Sequence, residues 1–314
     1  MIPALVLTAG LATRLRPLSF VRAKAALPVA GQPLIRRILT YCHASGVTRA
    51  VLNLHHLPHT ITAAVGDGSD IGLDVRYSWE HPVLGSAGGP KLALPLLGEP
   101  AFLIVNGDTL TSADLPALVE AHRRSGALVT LAVTGNPDPD RYGGVLVDAA
   151  GRVTGFTRRG SGQPSWHFVG VQVAEADAFR SVPPGTPFES TRQLYPALIA
   201  DRPGSVRAHV CETEFFDIGT PGDYLQTALL LARREPHASM HGQRVRVDPS
   251  ARIDDSVLWD DVEVGPGAQL DGSVVTDGVR IPDGSRWSGV ALRAAGGDLA
   301  PGERQVGDLY VSAL

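Results

Sequence analysis

The chain has 314 residues, 44% of them hydrophobic and 19% charged, with a net charge of −4. That length accommodates one large α/β domain and a smaller one, and the composition supplies a sizeable core. The acidic balance and the lack of any Lys/Arg-rich run exclude an electrostatic nucleic-acid surface, and no apolar run nears the ~20 residues of a membrane span. Two cysteines, Cys42 and Cys211, without a CxxC pair argue against a disulfide framework or a zinc site. The apolar start has no basic n-region and breaks at Arg14, which makes it a poor signal peptide. A soluble, cytoplasmic protein is expected, with no nucleic-acid and no membrane partner.

Residues 4–7, 50–54, 102–105 and 128–133 are short apolar runs that read as buried strands. Between them, residues 34–45 and 114–125 have helical spacing and stop before Gly46 and Gly126. Strands alternating with helices imply parallel βαβ units with right-handed crossovers. The expected fold class is therefore α/β, with an open, doubly wound, mostly parallel sheet through about residue 135. Residues 138–173 change texture. Segments 142–148, 152–156 and 168–173 are strand-like and joined by Gly and Asp turns, which predicts a β-rich insertion or lid beside the main sheet. Residues 220–234 predict a helix with Pro221 in its first turn.

After Glu235 the chain repeats. Val247, Val264 and Ile281 recur 17 residues apart, and six positions after each comes another apolar residue, at Ile253, Leu270 and Trp287. Ala251, Ala268 and Ser285 hold the same register, as do Val257 and Val274. Such a period predicts a parallel β-helix of about three coils, each turn stacking a side chain inward. The domain boundary is placed accordingly, with a larger domain over 1–236 and a small β-helix tail over 237–314.

The densest chemistry lies at the start. The first strand feeds Thr8-Ala9-Gly10-Leu11-Ala12-Thr13-Arg14-Leu15-Arg16-Pro17, followed by Lys24 and by residues 27–34. Small residues after a strand let backbone N–H groups close around phosphate oxygens, and Arg14 supplies positive charge. Neither the Walker spacing nor the Rossmann GxGxxG is present. Asp108 ends an apolar strand, where open α/β sheets bind ligands. His55-His56 has no HxxxH or Cys companion and carries no metal reading.

This loop resembles the GGxGTRLxP…PKP signature of the nucleotide-sugar pyrophosphorylases. These sugar-1-phosphate nucleotidyltransferases include mannose-1-phosphate guanylyltransferases and N-acetylmuramate 1-phosphate uridylyltransferases. The resemblance continues through residues 77–89, Asn106-Gly107-Asp108, Tyr142-Gly143-Gly144, Phe168-Val169-Gly170 and residues 216–224, so it covers about the first 230 residues. The tail resembles the hexapeptide-repeat, left-handed β-helix. The family resemblance implies transfer of NMP from an NTP to a sugar 1-phosphate, with release of pyrophosphate. The implied route is Mg²⁺-assisted in-line displacement, which depends on positioning and charge neutralisation more than on a general base.

By that resemblance Asp108 and Asp217 hold Mg²⁺, Arg14 braces the pyrophosphate, and Lys24 bridges the α-phosphate and the incoming sugar phosphate. Base and ribose are implied at Ala9, Gly10, Leu11, Glu80, Gly85 and Ser86, with Glu80 either a base-edge acceptor or a surface carboxylate. The sugar is implied at Gly143, Arg158, Gly170 and Glu189. GTP and UTP are the leading nucleotides, and the sugar stays open. The tail is expected to mediate self-association into a homo-oligomer, or regulation.

Two departures from the family pattern stand out. Ala9 and Ala12 replace customary glycines, and Ala12 is expected to be strained if its φ is positive. Thr157-Arg158-Arg159 stands where the family carries Glu-Lys-Pro. The sugar is then recognised differently, or carries an acidic or unusual substituent that pairs with arginine. A non-catalytic nucleotide-sugar sensor on the same fold is the alternative reading.

Overall fold

Strands that show apolar side chains on both faces must be covered on both, and the parallel centre of this fold meets that demand. The computed structural model describes residues 2–297 and 299–314. Its first elements are β1 (Ala4–Leu7), α1 (Leu34–Ala44), β2 (Arg49–Leu54), α2 (Pro58–Val65), β3 (Asp74–Trp79), α3 (Gly85–Leu97) and β4 (Ala101–Asn106). The order β4-β1-β2-β3 is parallel throughout, with Leu5 opposite both Val51 and Ile104. Each of these three side chains is fully buried.

Next come β5 (Thr109–Thr111), α4 (Leu115–Ser125), β6 (Val129–Gly135), β7 (Val145–Val147), β8 (Val153–Phe156), β9 (Trp166–Glu175), α5 (Tyr195–Asp201), β10 (Val206–Val210), β11 (Phe215–Asp217) and α6 (Pro221–Arg234). The helix ends follow elementary capping. Asp114 accepts the Ala117 N–H at 2.9 Å ahead of α4, and Gly126 ends that helix at φ 61°. Thr220 accepts the Asp223 N–H at 3.2 Å ahead of α6, whose first residue is Pro221.

One expectation needs correction. The β-rich segment does not stand beside the main sheet; its strands extend it, in the order β8-β7-β9-β4-β1-β2-β3. The reason is β9, ten residues long, which pairs antiparallel with both β4 and β6. Its register shifts between Phe168 and Gln172, around Gly170 at φ +81°. The sheet is thus mixed at this end and parallel at the other.

A second difference is α3. Gly85, Gly88 and Gly89, with Pro90 and Pro95 inside the helix, are poor helix signals, so local propensity announces no helix there. Tertiary packing overrides propensity here, because Ala87, Ala93 and Leu97 join Leu5 and Val51 in one core.

The chain folds into two compact units. The first comprises Met1–Gly10, Arg37–Pro58 and Val65–Phe216; the second comprises Leu11–Arg36, His59–Ala64 and Asp217–Leu314. In the second unit, three parallel sheets run along three sides of a β-helix. Val247, Val264 and Ile281 align on one side, and Ile253, Leu270 and Trp287 on the next. Leu258, Val275 and Leu292 align on the third. This is the 17-residue register read from the sequence. The third sheet continues antiparallel through residues 309–313 and 304–306, a hairpin the repeat did not announce. No helix among the described residues is long and apolar enough to cross a membrane.

Candidate active site

In the first unit the carboxyl ends of β1, β2, β3 and β4 carry Thr8, Asn53, Glu80 and Asp108 or residues just before them. This is the edge at which parallel α/β sheets bind ligands. A relay of polar groups ties the strand ends together. Thr8 N–H donates to Asn53 Oδ1 at 2.6 Å, and the Thr8 hydroxyl donates to the Asn53 carbonyl. Asn53 Nδ2 in turn donates to Glu80 Oε1 at 2.7 Å, and Leu84 N–H donates to Glu80 Oε2 at 2.7 Å. Glu80 is 4% exposed. The surface-carboxylate alternative is therefore excluded: Glu80 links the loop after β1 to the N-terminus of α3 from below.

The close packing around Glu80 explains the glycines of α3. A methyl on Gly89 would lie 2.4 Å from Glu80 Oε1 and 2.9 Å from Asn53 Nδ2, and one on Gly88 would lie 2.8 Å from the Thr186 carbonyl. Ala87 and Gly88 both donate their N–H groups to the Phe188 carbonyl. Glycine here is a packing requirement, not flexibility.

The candidate nucleotide residues fall on two structural levels. Ala9 is buried, whereas Gly10 is exposed with nothing within 4 Å of an added methyl. Leu11 is exposed and belongs to the second unit. Gly85 and Ser86 open α3, and there Glu189 joins them: the Ser86 hydroxyl donates to Glu189 Oε2 at 2.8 Å. The structure thus brings together Ser86 and Glu189, which the sequence had assigned separately to nucleotide and sugar. Ser190 N–H also donates to Ser86 Oγ at 2.8 Å.

The other sugar candidates sit around β7, β8 and β9. A methyl on Gly143 would lie 2.7 Å from the Thr157 carbonyl, so this glycine permits a close strand approach. Arg158 and Arg159 are exposed on the turn that follows β8. Gly170 faces Thr109 and Asn106, whose Cβ atoms lie 3.1 and 3.3 Å from a methyl placed there. Asp108, between those two residues in the chain, is half-buried and accepts the Thr109 hydroxyl at 3.1 Å.

An aromatic group that sequence reasoning missed stands next to Gly143. The His167 ring lies 4.2 Å from Phe215 and 4.6 Å from Tyr142, centroid to centroid. Its buried Nδ1 has no hydrogen-bond partner among the described residues, and burial lowers its pKa to about 4. The ring is neutral near pH 7.

In the second unit Arg14, Asp217 and Asp223 converge on Gly219. A methyl there would lie 3.2 Å from Asp223 Oδ2, 3.4 Å from Arg14 Nη1 and 3.5 Å from Asp217 Oδ2. Asp223 was legible as part of the motif over residues 216–224 but was not singled out. Lys24 opens a 3₁₀ turn, Lys24–Ala26, twelve residues after Ala12. Ala12 adopts φ 47°, ψ 45°, the left-handed conformation in which its methyl is strained. The expected cost of replacing glycine is present, and the Ser19 hydroxyl braces the turn by donating to the Ala12 carbonyl at 2.9 Å. Among the described residues no group of three or more His, Cys, Asp or Glu side chains forms a ready-made metal cage. A two-carboxylate set of hard oxygens still suits Mg²⁺, which keeps waters and phosphate oxygens as its other ligands.

The family model described as nucleotidyl transferase matches residues 3–233. The chain belongs to that family. A second model, the GlmU-like C-terminal hexapeptide, matches residues 231–290 and accounts for the repeat. The chain is 33% identical over 245 residues to the mannose-1-phosphate guanylyltransferase of Mycobacterium tuberculosis, covering 77% of this chain and 68% of that protein. It is 45% identical over 115 residues to the N-acetylmuramate alpha-1-phosphate uridylyltransferase of Neisseria meningitidis, covering 36% and 50%. Among solved structures, HddC from Yersinia pseudotuberculosis superposes with a TM-score of 0.65 at 23% identity, covering 74% of this chain and all of that one. That likeness concerns the fold.

Proposed function

We propose that this nucleotidyltransferase makes a nucleotide-sugar, transferring NMP from an NTP to a sugar 1-phosphate and releasing pyrophosphate. The observation that carries the reading is the strand-end relay Thr8–Asn53–Glu80, which fixes two backbone loops beside Asp108 at the ligand-binding edge of the sheet. In this reading the N–H groups after β1 take the nucleotide phosphates, and Ser86, tied to Glu189, contributes from the start of α3. A sugar-phosphate oxygen attacks the α-phosphorus in line with the leaving pyrophosphate. Arg14 stabilises the departing charge and Lys24 the phosphates that react, each as a fixed cation. Asp108 and Asp217 are the proposed Mg²⁺ ligands; the bound ion would neutralise phosphate charge. Self-association through the tail and a cytoplasmic location belong to this reading, and solution mass tests the former.

The exposed Arg158 and Arg159, beside Gly143, favour a sugar with a second anionic group, since arginine pairs bidentately with carboxylates. N-acetylmuramate 1-phosphate has such a carboxylate, so UTP with that sugar is the first pair to try, followed by GTP with mannose 1-phosphate. The test is pyrophosphate release with Mg²⁺ across NTPs and sugar 1-phosphates. Asp108→Ala is expected to lower kcat on the order of 10³-fold. Arg158→Ala with Arg159→Ala is expected to raise KM for an anionic sugar and leave a neutral one unaffected. Nucleotide-sugar binding without any turnover would instead support the sensor.

A further inference from the structure

The loop that carries Arg14 and Lys24 belongs to the same compact unit as the β-helix. Its attachments there are specific. Arg22 donates from Nε to Asp277 Oδ2 at 2.7 Å, and from Nη2 to Asp277 Oδ1 and Asp260 Oδ2, both at 2.6 Å. The guanidinium carbon also lies 5.4 Å from the Trp259 ring centroid. Trp259 is fully buried and donates from Nε1 to the Tyr224 hydroxyl at 2.9 Å; that hydroxyl donates to the Pro28 carbonyl. Arg293, from the third sheet, stands 5.1 Å over the Phe20 ring. Between the two anchored positions, Ala23 N–H donates to Thr60 Oγ1 at 3.1 Å. Lys24 is thus bracketed in sequence by Arg22, Ala23 and Pro28, all three fastened within this unit.

Asp260 and Asp277 are 17 residues apart, which places them at the same corner of successive coils. Asp260 N–H donates to Asp277 Oδ1 at 3.1 Å, and Gln243 N–H to Asp260 Oδ1 at 2.7 Å. The corner is a ladder in which one carboxylate oxygen braces the adjoining coil and Oδ2 of each Asp turns to Arg22. Arg22 therefore spans two coils at once. A half-buried ion pair of this kind contributes little net stability, but its forked, directional hydrogen bonds hold Arg22 to both coils.

We propose that the β-helix is the positioning scaffold of the catalytic loop, and that Arg22 is the positioning residue that transmits the coil register to Lys24. The proposal rests on the nucleotidyltransferase reading for its kinetic consequence, though not for its structural one. It gives the tail a role in the reaction of its own chain, whatever its oligomeric state.

The experiment compares Arg22→Ala, the tail-side pair Asp260→Asn/Asp277→Asn, and all three changes together. Steady-state kinetics are run with the active substrate pair, and amide hydrogen exchange is followed over residues 12–27. Displacing Lys24 by about 1 Å is expected to lower kcat by on the order of 10²-fold, with KM for the NTP changed less. The tail-side pair should reproduce that loss, the triple variant should lose no more than either alone, and loop exchange should rise in all three. Arg22→Lys, which keeps charge without the fork, should recover part of kcat. Unchanged kcat and loop exchange in the tail-side pair overturn the proposal. So does a lowered Tm with normal kcat per folded molecule and normal loop exchange. If the wild-type chain turns over no substrate, the enzymatic reading fails, and loop exchange alone decides whether the anchor exists.

Discussion

The central sheet and the β-helix are both built on parallel strands, yet they reach burial by different routes. In the sheet, Leu5 sits between Val51 and Ile104, and all three are fully buried. Each neighbour comes from a remote part of the chain. In the β-helix, Leu270 stacks between Ile253 and Trp287, both of which remain partly exposed. Each neighbour is 17 residues away. A one-dimensional stack keeps its partners at a fixed offset and leaves its faces near water, whereas a covered sheet closes on all sides. The regular unit is thus the easier to read, and its side through Ile253, Leu270 and Trp287 is the less deeply buried.

Truncation sharpens the contrast most. Leu5→Ala should destabilise toward the upper end of the ~2–5 kcal/mol expected for a buried Leu→Ala change, because its surroundings cannot collapse. Leu270→Ala should fall near the lower end, because Trp287 and Ile253 have room to move in. Denaturant midpoints measure both, and equal losses would break the comparison.

Smaller effects probe the strand ends. Gly89→Ala forces a methyl to 2.4 Å from Glu80 Oε1. A loss of about 1–3 kcal/mol is expected from overpacking, with weakened nucleotide binding as α3 shifts. The same substitution at Gly267, where nothing but Gly284 Cα lies within 4 Å, meets no such wall, although its φ of +68° still carries strain.

His167 supplies a pH effect confined to the mixed end of the sheet. Its pKa is lowered by burial from 6.5 to about 4. As pH falls, the unfolded chain takes up this proton first, so the unfolded state gains. The contribution is fully present above pH 6.5, is lost between 6.5 and about 4, and stays constant below. His167→Phe keeps the stack on Phe215 and removes the titration. Its Tm should therefore decline less steeply than wild type over that window.

The smallest expected change is a gain. Ala12→Gly relieves the left-handed strain of about 1–2 kcal/mol but adds chain entropy worth roughly 0.5–1 kcal/mol to the unfolded state. A net stabilisation of up to about 1.5 kcal/mol should appear in the denaturant midpoint. A loss would mean that the turn at residue 12 is not left-handed in solution.

The sequence by itself determined the parallel centre of the sheet, the helices expected over residues 34–45 and 114–125, and the three-coil repeat. These follow from local signals: contiguous apolar runs, caps and a fixed period. It did not determine that the strands around Gly143 and Gly170 join the main sheet, because antiparallel pairing with β4 and β6 depends on residues tens of positions away. Nor did it determine α3, whose glycines and prolines argue locally against a helix and are accommodated by packing on Glu80 and Phe188. Asn53 was the readable hint, a polar side chain inside an apolar run, yet its partners Thr8 and Glu80 are 45 and 27 residues away. The Arg22 anchor was hidden for a similar reason. Asp260 and Asp277 are in register with each other, but only the folded chain brings a residue from 238 and 255 positions earlier onto that corner. Periodicity and capping are properties of neighbours along the chain, and the site is made by hydrogen bonds between residues that only folding brings together.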